Sequence, residues 1–268
     1  MRRLLVHEAR VHTLPGRELR DLGDAILLHD PGDREPFWNR LEAVAWPADA
    51  AGFDRRLGET AVLFASLGRQ PHIWCSPSHD QPVDLAERLA ANGFEDVGPG
   101  HLMVTRDDAP ARAALTRALP AGTTLERPAR LAGAAAEPVA QAIVEVLLEA
   151  FGVEADRRPA IAAETVASLA DPRFTHYLVR LDGEPVAVAR RATFDGLSYL
   201  SSIGTIERAR GHGYGRLVTA AAVVDALAAG SEWVHLGVFA DNHPAYGLYG
   251  GLGFTPSGAA GPDMVLIG

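Results

Sequence analysis

The stretch Arg210-Gly211-His212-Gly213-Tyr214-Gly215 decides the fold of this sequence, because it separates a predicted strand from a predicted helix. Leu217, Ala221, Val224 and Leu227 recur at helical spacing and predict a helix over Arg216–Ala229. Glycines let a backbone approach a ligand closely, and the free N–H groups and positive end of a helix suit a pyrophosphate. A tight turn that needs glycine only for steric reasons would fit the same stretch. The flanking elements decide between the two interpretations.

Antiparallel strands lead into this loop. Two dipeptides that favour tight hairpin turns, Asp182-Gly183 and Asp195-Gly196, separate three predicted strands. The strands are Phe174–Leu181, Pro185–Thr193 and Leu197–Thr205, and predicted helices at Pro138–Phe151 and Ala160–Leu169 precede them. A Rossmann fold would instead place the glycines after the first strand of a parallel sheet, with an acidic residue about 20 residues later. The order of elements argues against that fold.

The residues after the helix predict one more strand and a short helix. Trp233–Phe239 is a nearly continuous apolar run, which is typical of a buried strand. Asp241 and Asn242 are good helix-capping residues, and Pro244 fits the first turn of a helix over Ala245–Leu252.

Both regions resemble the GNAT acyltransferase superfamily. Arg210, Gly213 and Gly215 fill its cofactor motif of Arg or Gln, two residues, Gly, one residue, and Gly or Ala. The second signature, Asn-x-x-Ala-x-x-Leu-Tyr-x-x-x-Gly-Phe, is similar to the residues Asn242, Ala245, Leu248, Tyr249, Gly253 and Phe254. The resemblance implies an α/β (α+β) fold with a mixed, mostly antiparallel sheet flanked by helices.

The resemblance also implies which residues act. The loop would bind the pyrophosphate of acetyl-CoA, and the end of the preceding strand would hold its pantetheine arm. Tyr249 would give a proton to the departing thiolate, and no metal is implied. The implied cofactor-binding residues are Ile203, Gly204, Thr205, Arg210, Gly211, His212, Gly213, Tyr214, Gly215, Arg216, Asn242 and Tyr249.

Transfer to an amine needs a neutral amine, a donor to the carbonyl oxygen and a proton for the sulfur. The general base stays open among Glu207, Ser201, Ser202, His176, Glu184 and a chain of water molecules. Tyr249 also fits a half-buried aromatic that covers the core, and Tyr246 lies one turn earlier. Gly250 and Gly251 each weaken the short helix by about 1 kcal/mol relative to alanine.

The first part of the chain contains a faint copy of the second signature. Leu85, Leu89, Asn92, Gly93 and Phe94 resemble it, and the strand His101–Thr105 would correspond to the last strand of the fold. No arginine–glycine loop occurs in residues 1–104. The other elements predicted here are strands at Ala25–His29 and His72–Cys75 and helices at Phe37–Val44 and Val83–Ala91. We therefore expect a degenerate GNAT-like domain over 1–110, a linker over 111–125 and a catalytic GNAT domain over 126–268.

Composition excludes several classes of protein. The 268 residues are 47% hydrophobic and 22% charged with a net charge of −9, as in an ordinary globular protein. There is no lysine and the arginines are dispersed, which argues against nucleic acid as a partner and mildly favours a cationic substrate. No apolar run approaches the roughly 18 residues that cross a bilayer, so we expect a cytoplasmic protein without a membrane partner.

The single cysteine, Cys75, predicts a buried reduced thiol and no internal disulfide. His72, Cys75 and His79 form an incomplete set of metal ligands, so no metal site is expected there.

Together these features predict an N-acetyltransferase that transfers an acetyl group from acetyl-CoA to a primary amine of a small molecule or a peptide. The acceptor stays open among small amines, amino sugars and peptide N-termini. One alternative is a non-catalytic acyl-CoA sensor, and another is a structural scaffold for a protein partner.

Overall fold

A computed structural model describes residues 1–14, 16–128 and 130–267. The chain forms two compact units that are not continuous in sequence. The first comprises Met1–Met103, Gly237–His243 and Pro256–Gly268, and the second comprises Val104–Leu236 and Pro244–Thr255.

A six-stranded sheet, in the order β1-β2-β3-β4-β13-β5 among the described residues, forms the centre of the first unit. Its strands are β1 (Glu18–Asp21), β2 (Ile26–His29), β3 (Arg40–Glu42), β4 (His72–Trp74), β5 (Phe94–Asp96) and β13 (Asp263–Leu266). Its helices are α1 (Arg2–Val11), α2 (Ala50–Ser66) and α3 (Leu85–Ala91). β3 and β4 are parallel through the pair Leu41 and Ile73, and α2 connects them.

The seven-stranded sheet has the order β12-β6-β11-β10-β9-β8-β7 within the part of the chain that the structure describes. Its strands are β6 (Gly100–Thr105), β7 (Thr123–Glu126), β8 (Phe174–Leu181), β9 (Glu184–Phe194), β10 (Leu197–Thr205), β11 (Trp233–Phe239) and β12 (Thr255–Pro256). The associated helices are α4 (Ala109–Leu115), α5 (Glu137–Phe151), α6 (Arg158–Ala170), α7 (Tyr214–Ala228) and α8 (His243–Gly250).

The two predicted hairpins are present. Asp182 and Gly183 have φ of 50° and 87°, and Asp195 and Gly196 have φ of 51° and 72°. Positive φ at both central residues gives a two-residue turn the twist that suits antiparallel strands. The turns join β8 to β9 and β9 to β10, both antiparallel. β10 and β11 are parallel, and α7 crosses between them.

One predicted helix is wrong. Phe37–Val44 contains a short 3-10 helix at Pro36–Trp38 followed by β3. The charged residues of β3 are buried, and the charge of Arg40 is balanced by an ion pair with Glu8, which lies 32 positions earlier in the chain. A contact between residues this far apart cannot be seen in the local sequence pattern, so the pattern of Phe37–Val44 does not reveal the strand.

The predicted role of the strand at His101–Thr105 also needs correction. This strand, β6, lies in the seven-stranded sheet, between β11 and β12. In the six-stranded sheet the corresponding place, between β4 and β5, is taken by β13, which is antiparallel to both. The first half of the sequence therefore contributes β6 to the seven-stranded sheet, and the second half contributes β13 to the six-stranded sheet.

The predicted linker 111–125 includes most of α4 and the start of β7. The division into domains over 1–110 and 126–268 stays a prediction. None of the helices in the described ranges is long and apolar enough to cross a membrane.

Candidate active site

The loop between β10 and α7 has the backbone that its glycines permit. After a 3-10 turn at Glu207–Ala209, Arg210 is extended, with φ of −65° and ψ of 155°. Gly211 and Gly213 have φ of 80° and 89°, in the left-handed region that side chains disfavour. Gly213 is the N-cap residue of α7, and as a glycine it has no side chain with which to cap the helix. A ligand can therefore reach the helix N-terminus.

The backbone N–H groups around this N-terminus are available to a ligand. The first intrahelical hydrogen bond is donated by Leu217 N to Gly213 O, at 2.9 Å. Among the described residues, no acceptor is recorded for the N–H groups of residues 211–216. Successive N–H groups at the positive end of a helix form an anion-binding concavity.

Gly215 lies where a side chain would fill the space next to the strand. A Cβ atom on Gly215 would lie 3.2 Å from Oγ1 of Thr205 and 3.6 Å from Cδ1 of Leu248. The loop, the end of β10 and α8 therefore meet around Gly215. Glycine at this position lets the start of α7 pack closely against the end of β10.

The two arginines of the loop differ in their contacts. Arg210 donates from Nε to Thr205 O at 3.3 Å and from Nη2 to Ala150 O at 3.1 Å. It thus fastens the loop to β10 and to the negative end of α5. Arg216 is half-buried at the start of α7, and within the described ranges its guanidinium has no recorded hydrogen-bond acceptor. Its charge is available to an anion at the helix N-terminus.

β10 has a bulge near its carboxyl end. The pairing of β10 with β9 shifts register between Ser201 and Gly204, and Ser202 has φ of 53°. The recorded pairing of β10 with β11 ends at Tyr199, although β10 continues to Thr205. Backbone groups on that edge are therefore available to a ligand beyond Tyr199.

Gly204 is required by close packing at the bulge. A Cβ atom there would lie 2.9 Å from Cβ of Ala150 and 3.3 Å from Cε2 of Phe151. Phe151 itself is 55% exposed. An exposed aromatic ring thus borders the bulge, a feature that the sequence analysis did not single out.

Tyr249 lies in α8, immediately after Leu248, and only 6% of it is exposed. Burial raises its pKa to about 12. Its ring packs edge to face against Phe254, with ring centroids 6.0 Å apart. The hydroxyl therefore stays protonated through the neutral range, as a proton donor requires.

The other predicted cofactor residues lie in varied environments. His212 is exposed, with Nδ1 3.0 Å from Arg210 O, whereas Tyr214 is buried and can offer a ligand only its backbone. Ile203 is half-buried in the bulge. Asn242 is exposed before α8 and belongs to the first compact unit.

The side chains considered as bases also differ in accessibility. His176 is buried, and burial together with the charge of Arg190 lowers its pKa to about 3. Its Nε2 lies 2.9 Å from Oγ of Ser168. Glu207 and Glu184 are exposed, and Ser201 is half-buried. His176 is thus a neutral, enclosed residue and cannot meet an acceptor amine directly.

The first unit repeats the parallel pair and its crossover helix, but its helix N-terminus is occupied. Ala43, after β3, has φ of 54°, close to that of Ser202 in the second unit. Asp49 caps α2 and accepts a hydrogen bond from Gly52 N at 2.8 Å. The chain's own carboxylate therefore fills the position that an anion would take.

Cys75 is buried, and burial raises the pKa of its thiol well above the ordinary value. Nδ1 of His72 lies 2.7 Å from Pro36 O, and its Nε2 contacts Asp263. No cluster of three or more His, Cys, Asp or Glu side chains suited to a metal ion occurs among the described residues.

Comparison with known proteins shows which family the second half of the chain is similar to. Residues 140–254 match the model of the acetyltransferase (GNAT) family. A GCN5-related N-acetyltransferase from Kribbella flavida has the same fold, with a TM-score of 0.70, 23% identity and coverage of 98% of this chain and 95% of that one.

Two further solved structures share the fold. A tandem GNAT protein from the clavulanic acid biosynthesis pathway has a TM-score of 0.61 and 19% identity, covering 94% of this chain and 83% of that one. A GCN5-related N-acetyltransferase from Sphaerobacter thermophilus has a TM-score of 0.59 and 18% identity, covering 96% and 84%. No functionally curated protein sequence matches the chain.

Residues 140–254 therefore resemble a domain of the GNAT acetyltransferase family, and this resemblance indicates an acyltransferase. The fold is a mixed α/β fold with two GNAT-like halves, which confirms the predicted fold class.

Proposed function

We propose that this protein is an N-acetyltransferase that takes an acetyl group from acetyl-CoA and transfers it to a primary amine of a small molecule or a peptide. The observation that carries the proposal is the run of available N–H groups over residues 211–216 at the uncapped end of α7. Arg216 adds an available positive charge at the same place. A pyrophosphate is the group that such a site suits.

The residues fit acetyl-CoA along the length of the site. The N–H groups of Gly211–Arg216 would hold the phosphates, and Gly215 lets the start of α7 pack closely against Thr205 at the end of β10. The backbone of Ile203, Gly204 and Thr205 would hold the pantetheine arm along the edge of β10 that β11 leaves unpaired. We also propose Asn242 as a contributor, on the strength of its place in the second signature.

Acetyl-CoA supplies an acetyl group activated as a thioester, and its transfer to an amine yields an amide and the free thiol. Tyr249 would donate its phenolic proton to the sulfur, the amine nitrogen would release a proton to solvent, and the tyrosinate would recover a proton from solvent. Burial keeps this hydroxyl protonated, with a pKa of about 12. The protein would thus supply orientation and one proton, and it needs no covalent nucleophile.

We retain the domain division as part of the proposal, with a degenerate GNAT-like domain over 1–110 and the catalytic domain over 126–268. The cap of α2 by Asp49 supports a first half without a phosphate site.

Calorimetry with acetyl-CoA tests the proposal directly. We expect the native chain to bind and a Gly213→Asp variant to lose binding, because a carboxylate would repel the phosphates. Gly230→Asp is a matched control, since Gly230 also has φ of 89° and has open space around it. It carries the same new charge and the same strained backbone away from the loop.

Binding by the native chain and by Gly230→Asp, lost only in Gly213→Asp, would support the site and justify a screen of amines. Absence of binding by the native chain would refute the proposed function.

A further inference from the structure

Hydrogen bonds connect three polar side chains, Glu164, Arg190 and Ser201, at the start of the bulge of β10. Arg190 in β9 donates from Nη1 to Oε1 of Glu164 in α6 at 2.6 Å. It also donates from Nε to Oγ of Ser201 in β10 at 3.1 Å. The side chains of Arg190 and Glu164 are only 7% and 17% exposed. Glu164 and Ser201 together hold the guanidinium of Arg190 in one orientation.

Ser201 has a proton to offer. Arginine can only donate hydrogen bonds, so the Ser201 oxygen accepts from Arg190 and keeps its own O–H for another acceptor. Within the described part of the chain no acceptor for that O–H is recorded, and Ser201 is half-exposed. Ser198, on the same strand, differs because its hydroxyl is shared with Thr193 and Ser231 at 2.6 and 2.8 Å.

The position of Ser201 relates it to the cofactor loop. The bulge begins at Ser201, and four residues later Thr205 lies beside Gly215 of the loop. At about 3.3 Å per residue, the two positions are separated by about 13 Å along the strand. A cofactor with its phosphates at the loop would direct its arm along β10 towards the bulge.

We propose that Ser201 donates a hydrogen bond to the thioester oxygen of bound acyl-CoA, and that Arg190, held by Glu164, positions and polarises this hydroxyl. The inference rests on the proposed function. A hydroxyl that accepts from a cation becomes a stronger donor, and the thioester oxygen gains negative charge when an amine attacks. Ser201 keeps its proton throughout, so its contribution is electrostatic.

Infrared spectroscopy of acetyl-CoA labelled with carbon-13 at the thioester carbonyl tests this without turnover. We expect the carbonyl band to shift to lower wavenumber when the label binds the native chain, because hydrogen bonding weakens the C=O bond. Ser201→Ala should bind acetyl-CoA with affinity within about two-fold of native and lose most of the shift. Ser201→Thr keeps a hydroxyl and should retain it.

Two further variants separate this role from a structural one. Ser198→Ala removes a serine hydroxyl from the same strand and should leave the band unchanged. Arg190→Lys keeps the charge but not the two-pronged geometry, so it should reduce the shift although Ser201 is present. If a suitable amine is found, Ser201→Ala should lower kcat about ten-fold or more with little change in the KM for acetyl-CoA.

The outcomes are distinct. An identical carbonyl band in the native chain and in Ser201→Ala, with both proteins binding, would overturn the inference and leave the proposed function intact. Absence of acetyl-CoA binding by the native chain would overturn both.

Discussion

Tyr249 is the residue on which a catalytic role depends most directly. Tyr249→Phe should lower turnover at least ten-fold, because general acid catalysis of this kind contributes substantially to rate. Affinity for CoA should stay within about two-fold, since the ring and its packing on Phe254 are retained. With a pKa of about 12 the hydroxyl does not titrate near neutrality, so the loss should be the same from pH 6 to 9.

The measurement is kcat against pH with a responsive amine, compared with Tyr246→Phe as the matched control one turn earlier. Equal turnover of native protein and Tyr249→Phe at every pH would show that the phenol is not the acid.

A second test at this scale concerns the buried charges of the first unit. Glu8 accepts from Arg40 at 2.7 Å, and both side chains are fully buried. Burial alone would raise the pKa of Glu8, but Arg40 and His12 outweigh it and lower the pKa from 4.5 to about 2. Burial, with the nearby Glu8 charge, raises the pKa of Glu42 well above 4.5. The two carboxyl groups therefore affect stability with opposite pH dependence.

The ionised Glu8 stabilises the fold above pH 4.5, and its contribution is lost as the pH falls to about 2. Glu42 binds its proton more tightly when folded, so its contribution decreases as the pH rises above 4.5. Urea unfolding at pH 7 should show a loss of about 3 kcal/mol or more for Glu8→Gln. For Glu42→Gln, the free energy of unfolding relative to that of the native protein should instead increase as the pH rises from 5 to 8.5. The reverse pattern would contradict the assignment.

The sequence could predict the part of the site that depends on local backbone conformation, but not the part that depends on contacts between distant residues. Gly211 and Gly213 act through their own backbone conformation, with positive φ, and a glycine in a motif signals such a conformation directly. Arg190 and Ser201 meet through the register of β9 and β10, and Glu164 approaches from a helix. The one available signal for them was a charged pair, Arg190-Arg191, directly after the apolar run Pro185–Ala189.

At the scale of elements, the two crossover helices predict one cofactor per chain. α7 has an uncapped N-terminus with available N–H groups, whereas α2 is capped by Asp49. Asp49→Ala should lower the free energy of unfolding by about 1 kcal/mol without changing acetyl-CoA affinity. Calorimetry should give a stoichiometry of one for both proteins, and a second binding event in the native chain would contradict the difference between the helices.

The elements of the second half were predictable because their signals are local. Both Asp-Gly turns form as expected, and α7 follows the loop. In the first half α2 was missed because it contains Gly52 and Gly58. Gly52 is needed at the helix start, where a Cβ atom would lie 2.6 Å from Cβ of Pro47. Packing requires glycine at this position, and glycine has a low helix propensity, so the sequence of α2 does not favour a helix strongly.

At the scale of the whole molecule, the order of strands in the sheets does not follow the order of the sequence. β13 lies between β4 and β5, and its Met264 joins a buried core with Ile73 and Leu89. The faint repeat in the sequence predicts two halves, but side-chain patterns along a strand do not specify which sheet the strand enters. The exchange of β6 and β13 was therefore not predictable from local signals.

The first unit should consequently fold only when β13 is present and well packed. Met264→Asp puts a charge among buried apolar side chains and should lower the free energy of unfolding by several kcal/mol. Ile267→Asp is the matched control, because Ile267 is 49% exposed just beyond the same strand, and its effect should be below about 0.5 kcal/mol. Hydrogen exchange should show lost protection in β4 and β5 for Met264→Asp alone. Retained protection in that variant would mean that the six-stranded sheet is stable without β13, so the first half could fold before the second has been synthesised.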